Sequence, residues 1–152
     1  MLSRIARRLY TLSGKEPVMA ETITLHGKVV SGLGQSRSFT GLPWVRKQFI
    51  SLLGIDPSLG TFNIRIINED LTRLKALRES SGILIPPLQN GFCAAHSFML
   101  MINGKVKGAA MFPHIANYPE WQMEIVSDKP VREELGLKEG DAVEVVVETG
   151  NF

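Results

Sequence analysis

At 152 residues the chain is one domain's worth, long enough for a real core and too short for two comfortable ones. A formal charge of +2 supplies no bulk electrostatic drive toward nucleic acid, and no apolar run approaches the length needed to span a bilayer. A single cysteine, Cys93, excludes an intrachain disulfide and fits a reducing compartment.

Residues 1–21 carry Arg4, Arg7 and Arg8 with no acid before Glu16, and place Leu2, Ile5, Leu9 and Leu12 at spacings compatible with an amphipathic helix. Such a start resembles an organellar targeting segment. A plain N-terminal extension, or a misplaced start with Met19 as the true initiator, is the simpler reading. The organised domain is expected over residues 22–150. Thr22 to Val30 alternates and is rich in β-branched residues, which predicts its first strand.

That strand runs into Gly32-Leu33-Gly34-Gln35-Ser36-Arg37. Glycines at 32 and 34 permit positive φ and close approach, so successive N–H groups can form a nest for an anion, to which Arg37 would add a planar, permanently charged fork. An ordinary turn with a solvated arginine fits the same residues, and neither the P-loop nor the full dinucleotide pattern is present. Pro43 then suits the first turn of a helix over Trp44 to Leu53, with Val45, Phe49, Ile50, Leu52 and Leu53 at helical spacing and Gly54 as its stop. The helix reads as a lid packed across the fold, with Trp44 in a packing role.

Gly60-Thr61-Phe62-Asn63-Ile64-Arg65-Ile66 predicts a strand whose alternation puts Thr61, Asn63 and Arg65 on one face and Phe62, Ile64 and Ile66 on the other. A hydroxyl and a carboxamide oxygen side by side suit Mg²⁺, which takes few protein ligands and completes its shell with water and phosphate oxygens. A half-buried strand with a polar outer face is the plainer reading of the same pattern. Asn68 to Ser80 predicts a helix with its acids early and its bases late, its charges forming a solvated face.

Gly82 to Gly91 is extended and turn-like, and Phe92 to Ile102 is an apolar run that predicts one or two buried strands. Asn103-Gly104 is a two-residue hairpin signal leading to a return strand over Lys105 to Phe112. His96 reads as a core or surface histidine, since neither His26 nor His114 stands at ligand spacing; Cys93 reads as a small buried residue. Pro113 to Pro119 is a loop, and Trp121 to Val126 a strand in which Glu124 could serve an alcohol substrate as hydrogen-bond acceptor or general base, or simply face outward. Lys129 to Arg132 leads into a helical turn, and Asp141 to Glu148 predicts a closing strand.

The order GKVVSGLGQSRSF, then a helix ending in LLGIDPSLGTFNIRI, then GAAMFP, then MEIVSDKPVREELGLKEGDAVEV, resembles the CTP-dependent riboflavin kinases of archaeal type over His26 to Glu148. The resemblance implies a mainly β fold, a small six-stranded cradle-loop (Greek-key) barrel with one or two short helices. It implies a phosphotransferase that moves the γ-phosphoryl group of CTP to the 5′-hydroxyl of riboflavin, giving FMN and CDP with Mg²⁺. On this chain it assigns the nucleotide to Gly32, Leu33, Gly34, Gln35, Ser36 and Arg37 together with Lys129, Pro130, Val131 and Arg132. Thr61 and Asn63 would hold Mg²⁺, and Glu124 would lie near the ribityl end of the flavin as the catalytic group. Ala116 occupies a flavin-contacting position where the family has threonine, and so lacks a hydroxyl for which Asn117 or Tyr118 could compensate. The implied partners are the small molecules CTP and riboflavin, bound by a cytoplasmic monomer with no nucleic acid and no membrane.

Two alternatives stand beside this. A non-catalytic nucleotide- or flavin-binding barrel, acting as a sensor or interaction module, is favoured by Ala116. A DNA-binding barrel of the transition-regulator type shares the topology by analogy, and the near-neutral charge argues against it.

Overall fold

The computed structural model describes residues 5–11, 17–31, 43–57, 59–86 and 94–149. Eight strands are present among them: β1 (Ile5–Thr11), β2 (Pro17–Val30), β3 (Thr61–Ile66), β4 (Ile83–Ile85), β5 (Ala95–Ile102), β6 (Val106–Pro113), β7 (Gln122–Val126) and β8 (Ala142–Glu148). Helices α1 (Pro43–Leu53), α2 (Leu71–Glu79) and α3 (Val131–Leu135) lie between them, with a 3₁₀ turn over Asn68–Asp70. One or two short helices were expected; the third is the five-residue turn after Pro130.

Six strands close on themselves. β2 pairs with β3, β3 with β7, β7 with β6, β6 with β5, β5 with β8, and β8 returns to β2, every pairing antiparallel. A mainly β, six-stranded cradle-loop barrel was expected; the observed architecture is mainly β, with six strands in a barrel-like ring. β4 pairs with β5 off the ring, and β1 lies along β2 from Ile5 opposite Ile23 to Thr11 opposite Pro17. Residues 5–11, whose spacing also suited a helix, are therefore strand.

All six ring strands send alternate side chains into one interior cluster, including Leu25, Ile64, Phe98, Phe112, Met123 and Val145, each at most 1% exposed. Burial of each such side chain contributes roughly 1.5–3 kcal/mol. Leu74 and Leu77 of α2 and Val131 of α3 join the same cluster. The opposite faces of β6 and β7 carry Ala109, Met111 and Val126, which pack against Val45, Phe49 and Leu53 of α1 with Trp44 beside them. The helix read as a lid therefore covers the outside of the ring, and Trp44 does pack.

Local signals explain the corners. Asn103 and Gly104 both take positive φ, 51° and 67°, which a two-residue hairpin turn requires. Gly27 sits in two ladders at once, opposite Ile66 and opposite Val143, and an added Cβ there would lie 2.7 Å from the carbonyl oxygen of Arg65. β2 can serve both neighbours only with a bare backbone at that position.

The expected solvated face after Asn68 is corrected at Asp70, which is 3% exposed. Its carboxylate accepts from the backbone N–H of His26 at 2.8 Å, lies 3.0 Å from His26 Nδ1, and pairs with Arg73. Burial alone would raise the acid's pKa, but the hydrogen bonds from the His26 ring and backbone and from Arg73 together hold it below the usual carboxylate range. The residue joins α2 to β2 rather than meeting water.

Candidate functional site

β2, β3 and β7 end near one another, and the segments that leave them build a cleft of about 510 Å³. Its wall includes Ser31 after β2, Thr61 and Asn63 on β3, and Ser127, Lys129, Pro130, Val131 and Arg132 after β7. Two pieces of chain that lie far apart in sequence are thereby brought to one concavity, Thr61/Asn63 and Lys129–Arg132. Residues Gly32 to Arg37 lie outside the described residues, and Ser31, the residue before them, is in the cleft wall.

The alternation of β3 holds: Phe62, Ile64 and Ile66 are interior, while Thr61, Asn63 and Arg65 share the other face. The Asn63 amide nitrogen donates to Thr61 Oγ1 at 3.1 Å, and Gln122 Nε2 donates to Asn63 Oδ1 at 3.3 Å. Gln122 is 3% exposed and two residues before Glu124, so it shares Glu124's face of β7. This donor set suits a hard cation in kind, being neutral oxygens on one strand face beside a cleft that carries Lys129 and Arg132. As oriented, Asn63 turns its nitrogen to Thr61. A half-turn of the amide, which the Gln122 amide can follow, puts both oxygens on one side.

Glu124 stands directly opposite Asn63 across the β3–β7 ladder and opposite Met111 across β6–β7. Opposed residues of an antiparallel pair project to the same face. The carboxylate therefore neighbours the Thr61–Asn63 pair although it is not itself part of the cleft wall. It is 9% exposed and accepts a hydrogen bond from Tyr118 Oη at 2.7 Å. Burial pushes the Glu124 carboxyl above its ordinary range and the Tyr118 bond partly opposes that. Burial, then the charge and hydrogen bond of Glu124, push the phenol far upward, so Tyr118 stays a donor.

Ala116 is exposed in the turn between β6 and β7 and is not in the cleft wall. His96 and His114 are spatial neighbours after all, with Nδ1 and Nε2 2.9 Å apart, because β5 and β6 pair there. Among the described residues no group of three or more His, Cys, Asp or Glu could hold a metal ion.

Four contributors escaped the sequence reading. Ser31 and Glu139 are 108 positions apart, yet Ser31 donates to Glu139 from its backbone N–H at 3.2 Å and its hydroxyl at 3.0 Å. Arg132 Nη2 also donates to Glu139, at 3.3 Å, and to the carbonyl of Val30 at 3.4 Å, which ties the end of β2 to Lys129–Arg132. These donors, the Ser31 hydroxyl foremost, hold the Glu139 carboxyl below its usual range. Ser127 Oγ donates to the Lys107 carbonyl at 2.8 Å and accepts from Lys129 N–H at 3.2 Å, which fixes where that segment begins. Gln122 had one legible signal, its position two before Glu124 on an alternating strand; the other three had none.

Fold and site together define a small closed β-ring protein with a polar, cation-bearing cleft at the ends of its strands. The family model of the CTP-dependent riboflavin kinases, CTP-dep_RFKase, described as domain of unknown function DUF120, matches residues 29–147. A riboflavin kinase of Archaeoglobus fulgidus is 40% identical over 129 residues, 83% of this chain and 55% of the relative. One of Thermofilum pendens is 32% identical over 151 residues, 94% of this chain and 66% of the relative. One of Methanopyrus kandleri is 31% identical over 121 residues, 80% of each. This chain belongs to the CTP-dependent riboflavin kinase family. It spans 55% to 66% of the length of the Archaeoglobus and Thermofilum relatives. Among the described residues no helix is long and apolar enough to cross a membrane.

Proposed function

We propose that the chain catalyses transfer of the γ-phosphoryl group of CTP to the 5′-hydroxyl of riboflavin, giving FMN and CDP. The observation that carries the reading is the placement of Glu124 opposite Asn63, on the face that Asn63 shares with Thr61 beside the Lys129–Arg132 cleft. Phosphoryl transfer needs positioning and charge stabilisation more than covalent chemistry. The riboflavin oxygen bonds to the γ-phosphorus as the bond from that phosphorus to the β,γ-bridging oxygen breaks, and CDP leaves.

Lys129 and Arg132, with the Gly32 to Arg37 segment, would hold the triphosphate by charge and N–H donors. Thr61 and Asn63 would hold Mg²⁺, which when bound neutralises charge on the phosphate oxygens. Glu124 would accept the hydrogen bond of the flavin hydroxyl and take its proton. Residues 22–150 would form the catalytic unit.

The test is incubation of the purified protein with riboflavin, Mg²⁺ and, in turn, ATP, GTP, CTP and UTP. FMN formed with CTP ahead of the others supports the reading, and no FMN with any of them removes it. One observation favours a second reading, a flavin- or nucleotide-binding sensor: Ala116 offers no hydroxyl and is exposed. Riboflavin bound without conversion in the same assay would select that reading.

A further inference from the structure

We propose that Tyr118 is a positioning residue for Glu124, its phenol fixing the orientation in which the carboxylate meets the acceptor alcohol. The proposal rests on the kinase reading above. The two groups meet at 2.7 Å although they lie on different elements, Tyr118 on the connection between β6 and β7 and Glu124 within β7. Three features independent of that contact aim the tyrosine inward. Asn117 takes a left-handed φ of 64°, which reverses the chain just before it. The guanidinium of Arg78, on α2, stands 5.9 Å from the Tyr118 ring centre, and its Nη2 donates to the Glu120 carbonyl at 3.1 Å. Gln122 N–H donates to the Pro119 carbonyl at 3.2 Å, which joins the connection to the start of β7.

The chemistry of the pair fits an alcohol. An ionised carboxylate accepts several hydrogen bonds and donates none, so the phenol uses part of its capacity and leaves room for a substrate O–H. A hydroxyl held there would sit beside Asn63, the cross-strand neighbour of Glu124, and hence beside the Thr61 end of the cleft. A glutamate with no such donor would be free to change rotamer; a donor at 2.7 Å selects one orientation, which an in-line transfer requires.

Tyr118→Phe keeps the ring and its packing against Arg78 and removes only the hydroxyl. With riboflavin, CTP and Mg²⁺, its kcat is expected to fall roughly 10- to 100-fold, the scale of a hydrogen bond to a charged group, with KM for CTP within about twofold and the thermal melt retained. In a Glu124→Gln background the same change should cost about twofold or less, since a residue acting through Glu124 has nothing left to position. If Glu124→Gln turns over too slowly to measure, riboflavin affinity followed by flavin fluorescence carries the same cycle. Wild-type kcat in Tyr118→Phe, or an equal loss in both backgrounds, overturns the proposal while leaving the kinase reading intact. A wild-type chain that makes no FMN overturns the kinase reading, and the proposal with it.

Discussion

Among the described residues two carboxylates are buried, and they are built to opposite ends. Asp70, 3% exposed, is met by the His26 backbone and ring and by Arg73, and its pKa is held down. Glu124, 9% exposed, is met by the neutral Tyr118 phenol and is pushed up. Donors and opposite charge offset the cost of burial at the first site and leave it largely standing at the second. The first carboxylate is structural cement between α2 and β2. The second keeps acceptor capacity and a raised pKa beside a polar cleft, which is what the proton-accepting role proposed for it would use.

The contrast breaks most completely at the cleft end. Thr61→Ala combined with Asn63→Ala should abolish FMN formation while circular dichroism shows an intact β fold, and full activity with Mg²⁺ present would remove the metal assignment. Glu124→Gln comes next, with a loss of roughly 10²- to 10⁴-fold in kcat and no loss of stability in urea, because it replaces a carboxyl that burial disfavours in its charged form. Smallest in activity is Asp70→Ala, expected to leave kcat within about twofold while lowering unfolding free energy by about 3 kcal/mol.

Acid titration of stability sharpens the same contrast. The native pKa of Asp70 is depressed, so its contribution is complete above the unfolded value near about 4 and is lost as pH falls toward the native one. Asp70→Ala should therefore flatten the acid limb of a urea-unfolding series. Glu124 has the opposite sign: with its native pKa raised, ionisation costs stability as pH climbs above the unfolded value, and Glu124→Gln should remove that decline. Identical acid limbs in wild type and both variants would refute the contrast.

What could be read before folding was local. The alternation of Thr61 to Ile66, the Asn103-Gly104 turn, the stop at Gly54 and the outward face of Asn63 depend on near neighbours and on the period of one element. The same locality misread Asp70, whose helical neighbours suggested solvent while its partner His26 lies 44 positions away. Thr61, Asn63, Glu124 and Lys129 to Arg132 were named as candidates from the resemblance together with their chemistry. Their gathering was not legible, because it depends on β3 finding β7.

By itself the sequence determined the strands, the turns, the composition of the interior and the kinds of donor on offer, since these follow from side-chain period and backbone freedom. Only the tertiary structure decided which donors meet: Glu124 against Asn63, Tyr118 on Glu124, and Ser31 with Arg132 on Glu139. Those meetings come from strand register, which is selected by burial summed over the whole ring and shifts every side chain to the other face if it slips by one residue.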